Sequence, residues 1–91
     1  MIDRTEVLNL GTFEVDFSDL LEALRKKGVP FLQKGTKAVF LWGSKIVLVS
    51  PGWDYKGTEV EMWCPDTPFL IEDSIRKEEE YRKEFASSFL C

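Results

Sequence analysis

Phe13, Val15 and Phe17 point to one side of an extended chain and Glu14 and Asp16 to the other, the two-residue period of a strand with one wet face. Thr5 to Leu10 precedes them as another strand, and Gly11-Thr12 between the two, glycine first, predicts a tight hairpin turn. The period then changes. Leu20, Leu21 and Leu24 recur at helical spacing behind a Ser18 cap and Asp19. This helix is expected to end at Arg25-Lys26-Lys27-Gly28, where cations suit the negative end of the helix dipole and glycine accepts a left-handed stop.

Val29 to Gln33 reads as a short strand that Pro30 confines to an edge or a strand start, with Lys34-Gly35 turning into the next. Ala38 to Trp42 and Ile46 to Val49 abandon alternation for continuous apolar runs, joined by a Gly43-Ser44 turn. Such runs mark central strands with both faces covered, so either a helix packs on each side or one face is reserved for another molecule. Thr58 to Cys64 alternates again, with Val60, Met62 and Cys64 on one face and Glu59, Glu61 and Trp63 on the other. Trp63 is the odd residue on that polar face.

Asp66-Thr67-Pro68 predicts a helix start, with Thr67 as cap and Pro68 in the first turn. The helix should run to about Leu90 with Ile71, Ile75, Tyr81, Phe85 and Phe89 in one stripe. Glu78 with Arg82 and Glu79 with Lys83 are spaced to pair along its solvated face, and the apolar end from Phe85 to Cys91 has to dock. The order β-β-α-β-β-β-β-α predicts an α+β fold: an antiparallel sheet of about five to six strands, N-terminal hairpin plus meander, packed with its helices. At 91 residues, with no repeat, low-complexity tract or linker, the expectation is a single domain over 1–91.

Composition changes the picture mainly by exclusion. Hydrophobic residues at 44% and charged residues at 31% are ordinary globular values. The longest apolar runs fall far short of the roughly 18 residues of a spanning helix. The opening MIDRTEVLNL has acids and an arginine where a signal peptide needs an apolar stretch, so a cytoplasmic location is expected. A net charge of −4 argues against a nucleic-acid partner, because phosphate binding is driven by lysine and arginine. Arg25, Lys26, Lys27, Lys34 and Lys37 nevertheless form a basic strip in sequence, the place such a partner would bind.

The chain has no histidine, so the commonest general base, and the usual partner of a serine or cysteine nucleophile, is missing. Cys64 and Cys91 match no metal-ligand spacing and read as free thiols of a reducing compartment, the alternative being a disulfide. The 6 glycines are scattered as turn residues and make no phosphate cradle. Glu59 and Glu61, near Asp54 or Asp66, could hold magnesium in a carboxylate metal enzyme. Glu59-Val60-Glu61 lacks the lysine of the acid, acid-x-lysine nucleases, and Asp54-Tyr55-Lys56 has that spacing only on a loop. No catalytic residue, metal or cofactor is assigned.

Leu20-Leu21-Glu22-Ala23-Leu24-Arg25-Lys26-Lys27-Gly28, followed by Gln33-Lys34-Gly35-Thr36 and two strands, resembles the opening of the HicA-type mRNA-interferase toxins, a small fold like double-stranded-RNA-binding domains. The resemblance covers roughly a third of the chain. In that family the glycine and small hydroxyl residue lead into the catalytic histidine, and here Lys37 stands at that position. The N-terminal strands and the acidic balance depart from the pattern too, so the resemblance transfers no activity.

What remains is binding. PGWDYKG, residues 51–57, sets Trp53 and Tyr55 in a turn. Either the rings fold back over the end of the sheet, or they project as a recognition patch with Asp54 and Lys56 at its rim. If Trp63 lies beside that loop, the rings form one patch large enough for a protein. The expected function is a small acidic non-enzymatic interaction domain that binds another protein or itself through the aromatic loop and a sheet face. The alternatives are a nucleic-acid-associated domain using the basic strip and a carboxylate metal enzyme.

Overall fold

Residues 4–53, 56–65 and 69–90, those that the computed structural model describes, run in order through β1 (Arg4–Thr5), β2 (Val7–Phe13), α1 (Phe17–Lys26), β3 (Phe31–Lys34), β4 (Lys37–Trp42), β5 (Lys45–Pro51), β6 (Thr58–Trp63), β7 (Phe69–Leu70) and α2 (Ile71–Phe89). The main sheet is antiparallel and 5-stranded, in the spatial order β2-β6-β5-β4-β3, and β1 pairs with β7 beside it. This is the α+β class that the pattern of periods predicts.

The first two strands are not a hairpin. β2 runs straight through Gly11-Thr12 and pairs with β6 from Val7 opposite Trp63 to Phe13 opposite Thr58. Gly11 makes a bulge there: the register slips between Asn9 and Gly11, φ at Gly11 is 84°, and the Asn9 side-chain oxygen accepts its N–H at 2.9 Å. A turn glycine and a bulge glycine make the same local demand for positive φ, which is why the dipeptide reads as a turn. The core decides the outcome. Leu8, Leu10 and Phe13 are all buried, and the step of three between the last two fits one sheet face only if the bulge absorbs a residue.

α1 begins at Phe17 with Asp16 as its N-cap, two residues ahead of the Ser18 cap that the sequence suggests, so Phe17 packs from the helix and not from a strand. Its end follows the expected mechanism. Gly28 takes φ 72°, its N–H reaches the Arg25 carbonyl, and the Val29 N–H reaches the Leu24 carbonyl at 2.9 Å.

Both helices lie on the same face of the sheet. Leu20, Leu21 and Leu24 of α1 and Phe85 and Phe89 of α2 share one cluster with the inward residues of β2, β4, β5 and β6. Phe85 is its hub, with ring centroids 5.0 Å from Phe13, 4.9 Å from Phe89 and 5.9 Å from Trp42. The buried Thr58 hydroxyl donates to the Val15 carbonyl at 2.7 Å, tying the segment before α1 to β6.

The second helix starts later than predicted, at Ile71, because Phe69 and Leu70 pair with Thr5 and Arg4 as β7. The proposed cap at Thr67-Pro68 lies outside the described residues. The apolar stripe is also shorter: Ile71 and Ile75 are exposed, and only Tyr81, Phe85 and Phe89 reach the core. Glu78 and Arg82 bond across to the outer edge of β2. The Arg82 guanidinium donates to the Leu10 carbonyl and, at 2.7 Å, to the Thr12 carbonyl, and Glu78 accepts the Asn9 N–H at 3.4 Å.

Candidate functional site

Among the described residues, the opposite face of the sheet carries no helix. Strand register lays its outward side chains in rows across β3, β4, β5, β6 and β2. At one end Leu41 pairs with Ile46, Ile46 with Trp63, and Trp63 with Val7. The middle row runs Leu32, Val39, Leu48, Glu61, Asn9. At the other end Lys34 pairs with Lys37, and Ser50 with Glu59 and Glu59 with Thr12 continue the line. The face therefore grades from apolar to charged along the strands.

The apolar end is wet. Leu32 is 76% exposed, Leu41 69% and Trp63 46%, with Ile46 exposed beside them. Leu32, Val39, Leu41 and Ile46, with Pro30, Phe31 and Phe40, line an open groove of ≈ 440 Å³. Singly exposed leucines need no explanation, but a contiguous apolar patch that crosses four strands marks an interaction site. The Trp63 indole N–H donates to the Glu61 carboxylate at 3.1 Å, which fixes the ring on this face and draws the carboxylate toward it. Sequence reasoning nominated Trp63 and passed over Leu32, Leu41 and Ile46. For Leu41 and Ile46 the signal was present in the continuous runs of β4 and β5, which admitted a face reserved for another molecule; Leu32, on β3, lies outside those runs.

The loop after β5 is built on a narrow neck. The Gly52 N–H donates to the Gly57 carbonyl at 3.1 Å and the Lys56 N–H to the Trp53 carbonyl at 3.1 Å. A Cβ on Gly52 would stand 2.3 Å from the Lys56 carbonyl oxygen, and one on Gly57 2.6 Å from that of Phe13, so both positions exclude a side chain. From this neck Trp53 projects into solvent, 86% exposed, with Lys56 exposed as well. Asp54 and Tyr55 lie outside the described residues. The condition for a single aromatic patch is not met. Pro51 pairs with Thr58 whereas Ile46 pairs with Trp63, so Trp53 and Trp63 occupy opposite ends of the sheet, separated by about 17 Å at roughly 3.4 Å per residue.

The basic strip is divided by the sheet. Arg25, Lys26 and Lys27 end a helix on the covered side, where Arg25 pairs with Glu22 at 2.7 Å and stacks 5.3 Å over the Phe31 ring. Lys34 and Lys37 sit on the open face, opposite one another at the turn between β3 and β4. The five cations do not share one surface, and Lys37 faces a small polar hollow shared with Ser50, Glu59 and Glu61.

Glu59 and Glu61 are neighbours on the outer face of β6, one exposed and one half-buried. Among the described residues no group of three or more His, Cys, Asp or Glu side chains converges as a metal site, and Asp66 lies outside them. Cys64 is buried beneath the sheet on the covered side. Burial raises its thiol pKa above the ordinary 9.0, the nearby Lys45 charge offsetting part of the rise. Cys91 is not among the described residues, which leaves the disulfide alternative outside the structure.

Comparison with family models, with curated proteins and with solved structures finds no match for the chain.

Proposed function

We propose that this chain is a small, non-enzymatic protein-interaction domain that binds another protein, or itself, through the open face of its sheet. The observation that carries the reading is the apolar row Leu41, Ile46, Trp63 with Leu32 beside it, all exposed, and half-buried Val39 among them, although the patch lies on the three inner strands and the β3 edge of the sheet. Burying such a patch on a partner removes apolar surface from water at roughly 25 cal/mol per Å². An interface of this kind is anchored by aromatic groups, and Trp63 is held in place for it by Glu61. The exposed Trp53 on its rigid neck supports a second contact at the far end.

The nucleic-acid alternative draws less support, because its cations fall on two sides of the sheet and the net charge is −4. The absence of histidine supports the non-enzymatic reading. A photo-activatable amino acid placed at position 41, and separately at the exposed position 83 of α2, tests the proposal in cells of the native host. The expected result is a protein cross-linked from position 41 and not from position 83. No product from either, or the same products from both, sinks it.

A further inference from the structure

The occupant of that face follows from its charge pattern, and the inference rests on the reading of the face as a protein-binding surface. We infer that the face is completed by a second copy of this chain, stacked face to face about a twofold axis that runs along β5.

β5 is the middle strand, flanked by β6 on one side and β4 on the other. A twofold axis along it keeps every row at its own level and exchanges β4 with β6 across the interface. In the apolar row Leu41 then meets Trp63 of the second copy, and Ile46 meets its own counterpart. In the polar row Lys37 meets Glu59 and Glu59 meets Lys37, so one operation forms a pair of salt bridges. A twofold axis across the strands gives the opposite result. It keeps the columns and exchanges the rows, laying Lys37 on Leu41 and Glu59 on Trp63, charges desolvated against apolar groups with no partner. The chain's own pattern selects the first arrangement. The middle row sets Val39 against Glu61, whose carboxylate already accepts the Trp63 indole.

The dimensions agree. Aligned sheets stack about 10 Å apart at about 30°, a gap that an extended lysine and glutamate together bridge. Within one chain Ser50 stands between Lys37 and Glu59, and among the described residues neither belongs to an ion pair. Strands about 4.8 Å apart and six residues long at about 3.3 Å give a footprint of roughly 24 by 20 Å. That is about 480 Å² per copy, above the roughly 400 Å² of a packing contact and below the roughly 800 Å² of a standard interface. A contact of this size belongs with weak, transient interfaces.

Sedimentation equilibrium on Lys37→Glu, on Glu59→Lys and on their equimolar mixture tests the axis. Both positions are exposed, so each variant keeps the fold. Each alone sets like charges against each other at both contacts, and its dimer should weaken about tenfold or more. In the mixture a copy with two glutamates meets a copy with two lysines, and the heterodimer should recover near wild-type affinity. Wild-type protein that stays monomeric up to about 1 mM, single variants that dimerise as wild type does, or a mixture no tighter than its components overturns this arrangement. If it falls while position 41 still cross-links a different protein, the interaction reading survives. If position 41 cross-links nothing, both fall.

Discussion

β4 and β5 present nearly the same chemistry to two different worlds. On the covered side Phe40, Val47 and Val49 are buried under α1 and α2, and on the other Val39, Leu41, Ile46 and Leu48 meet no helix. Hydrophobicity on both sides of a strand thus locates it in the middle of a sheet, and says nothing about whether the chain itself supplies both covers. Here the helices are too few and too polar to cover both. α2 buries only Phe85 and Phe89, and α1 only three leucines, all on one side.

The contrast can be broken by substitution. Phe85→Ala, at the hub of the covered side, should cost about 3–5 kcal/mol in urea unfolding, since it removes a fully buried ring that packs among four others. A loss below about 1 kcal/mol would mean that the helix is not seated as described. Arg82→Ala should cost less, about 1–2 kcal/mol, because two charge-assisted bonds to β2 are lost from an exposed side chain. Amide exchange should speed up in β2 before β4, and uniform change across the sheet would contradict an edge-specific role.

Cys64 sharpens the same contrast through pH. Its folded pKa is raised by burial, so the neutral thiol is favoured in the native state; the stability this contributes is intact below the unfolded value near 9.0 and drains away as pH rises through it. The stability gap between wild type and Cys64→Ala should therefore narrow as pH rises past the unfolded value near 9.0. A constant gap would show that the thiol is not desolvated. The smallest effect belongs to the open face: Leu41→Ser and Trp53→Ser should each change monomer stability by no more than about 0.5 kcal/mol, measured at protein concentrations too low for association. A larger loss at Leu41 would mean that the patch is supporting the monomer.

Much of this was legible in the residues. The periods located both helices and strands β3 to β6, and the clean alternation of Thr58 to Cys64 placed Glu59, Glu61 and Trp63 outward as found, whereas the alternation of Phe13 to Phe17 marked no strand, since β2 ends at Phe13 and α1 starts at Phe17. Gly11 was misread because local geometry alone does not separate a bulge from a turn, and only the pairing of β2 with β6 decides. Glu78 and Arg82 were read as members of helix pairs at four-residue spacing. Their actual bonds run to residues about seventy positions away, beyond any local rule. The basic strip failed for a related reason, since neighbours in sequence were sent to opposite sides of a sheet. The loop's exposure and the open face both depend on where the helices chose to sit.

The seal that Arg82 and Glu78 place over β2 has a consequence for how the protein behaves when crowded. A sheet elongates into a fibril only if each added molecule offers one free edge to its predecessor and another to its successor. With the β2 side occupied by the chain's own helix, β3 is the remaining edge of the five-stranded sheet, and it is a four-residue strand ending in a lysine. Addition there closes on itself after a single step. Edge-to-edge pairing in concentrated solutions should therefore stop at two copies, and Arg82→Ala, by uncovering the opposite edge, should be the substitution that first lets that pairing continue into filaments.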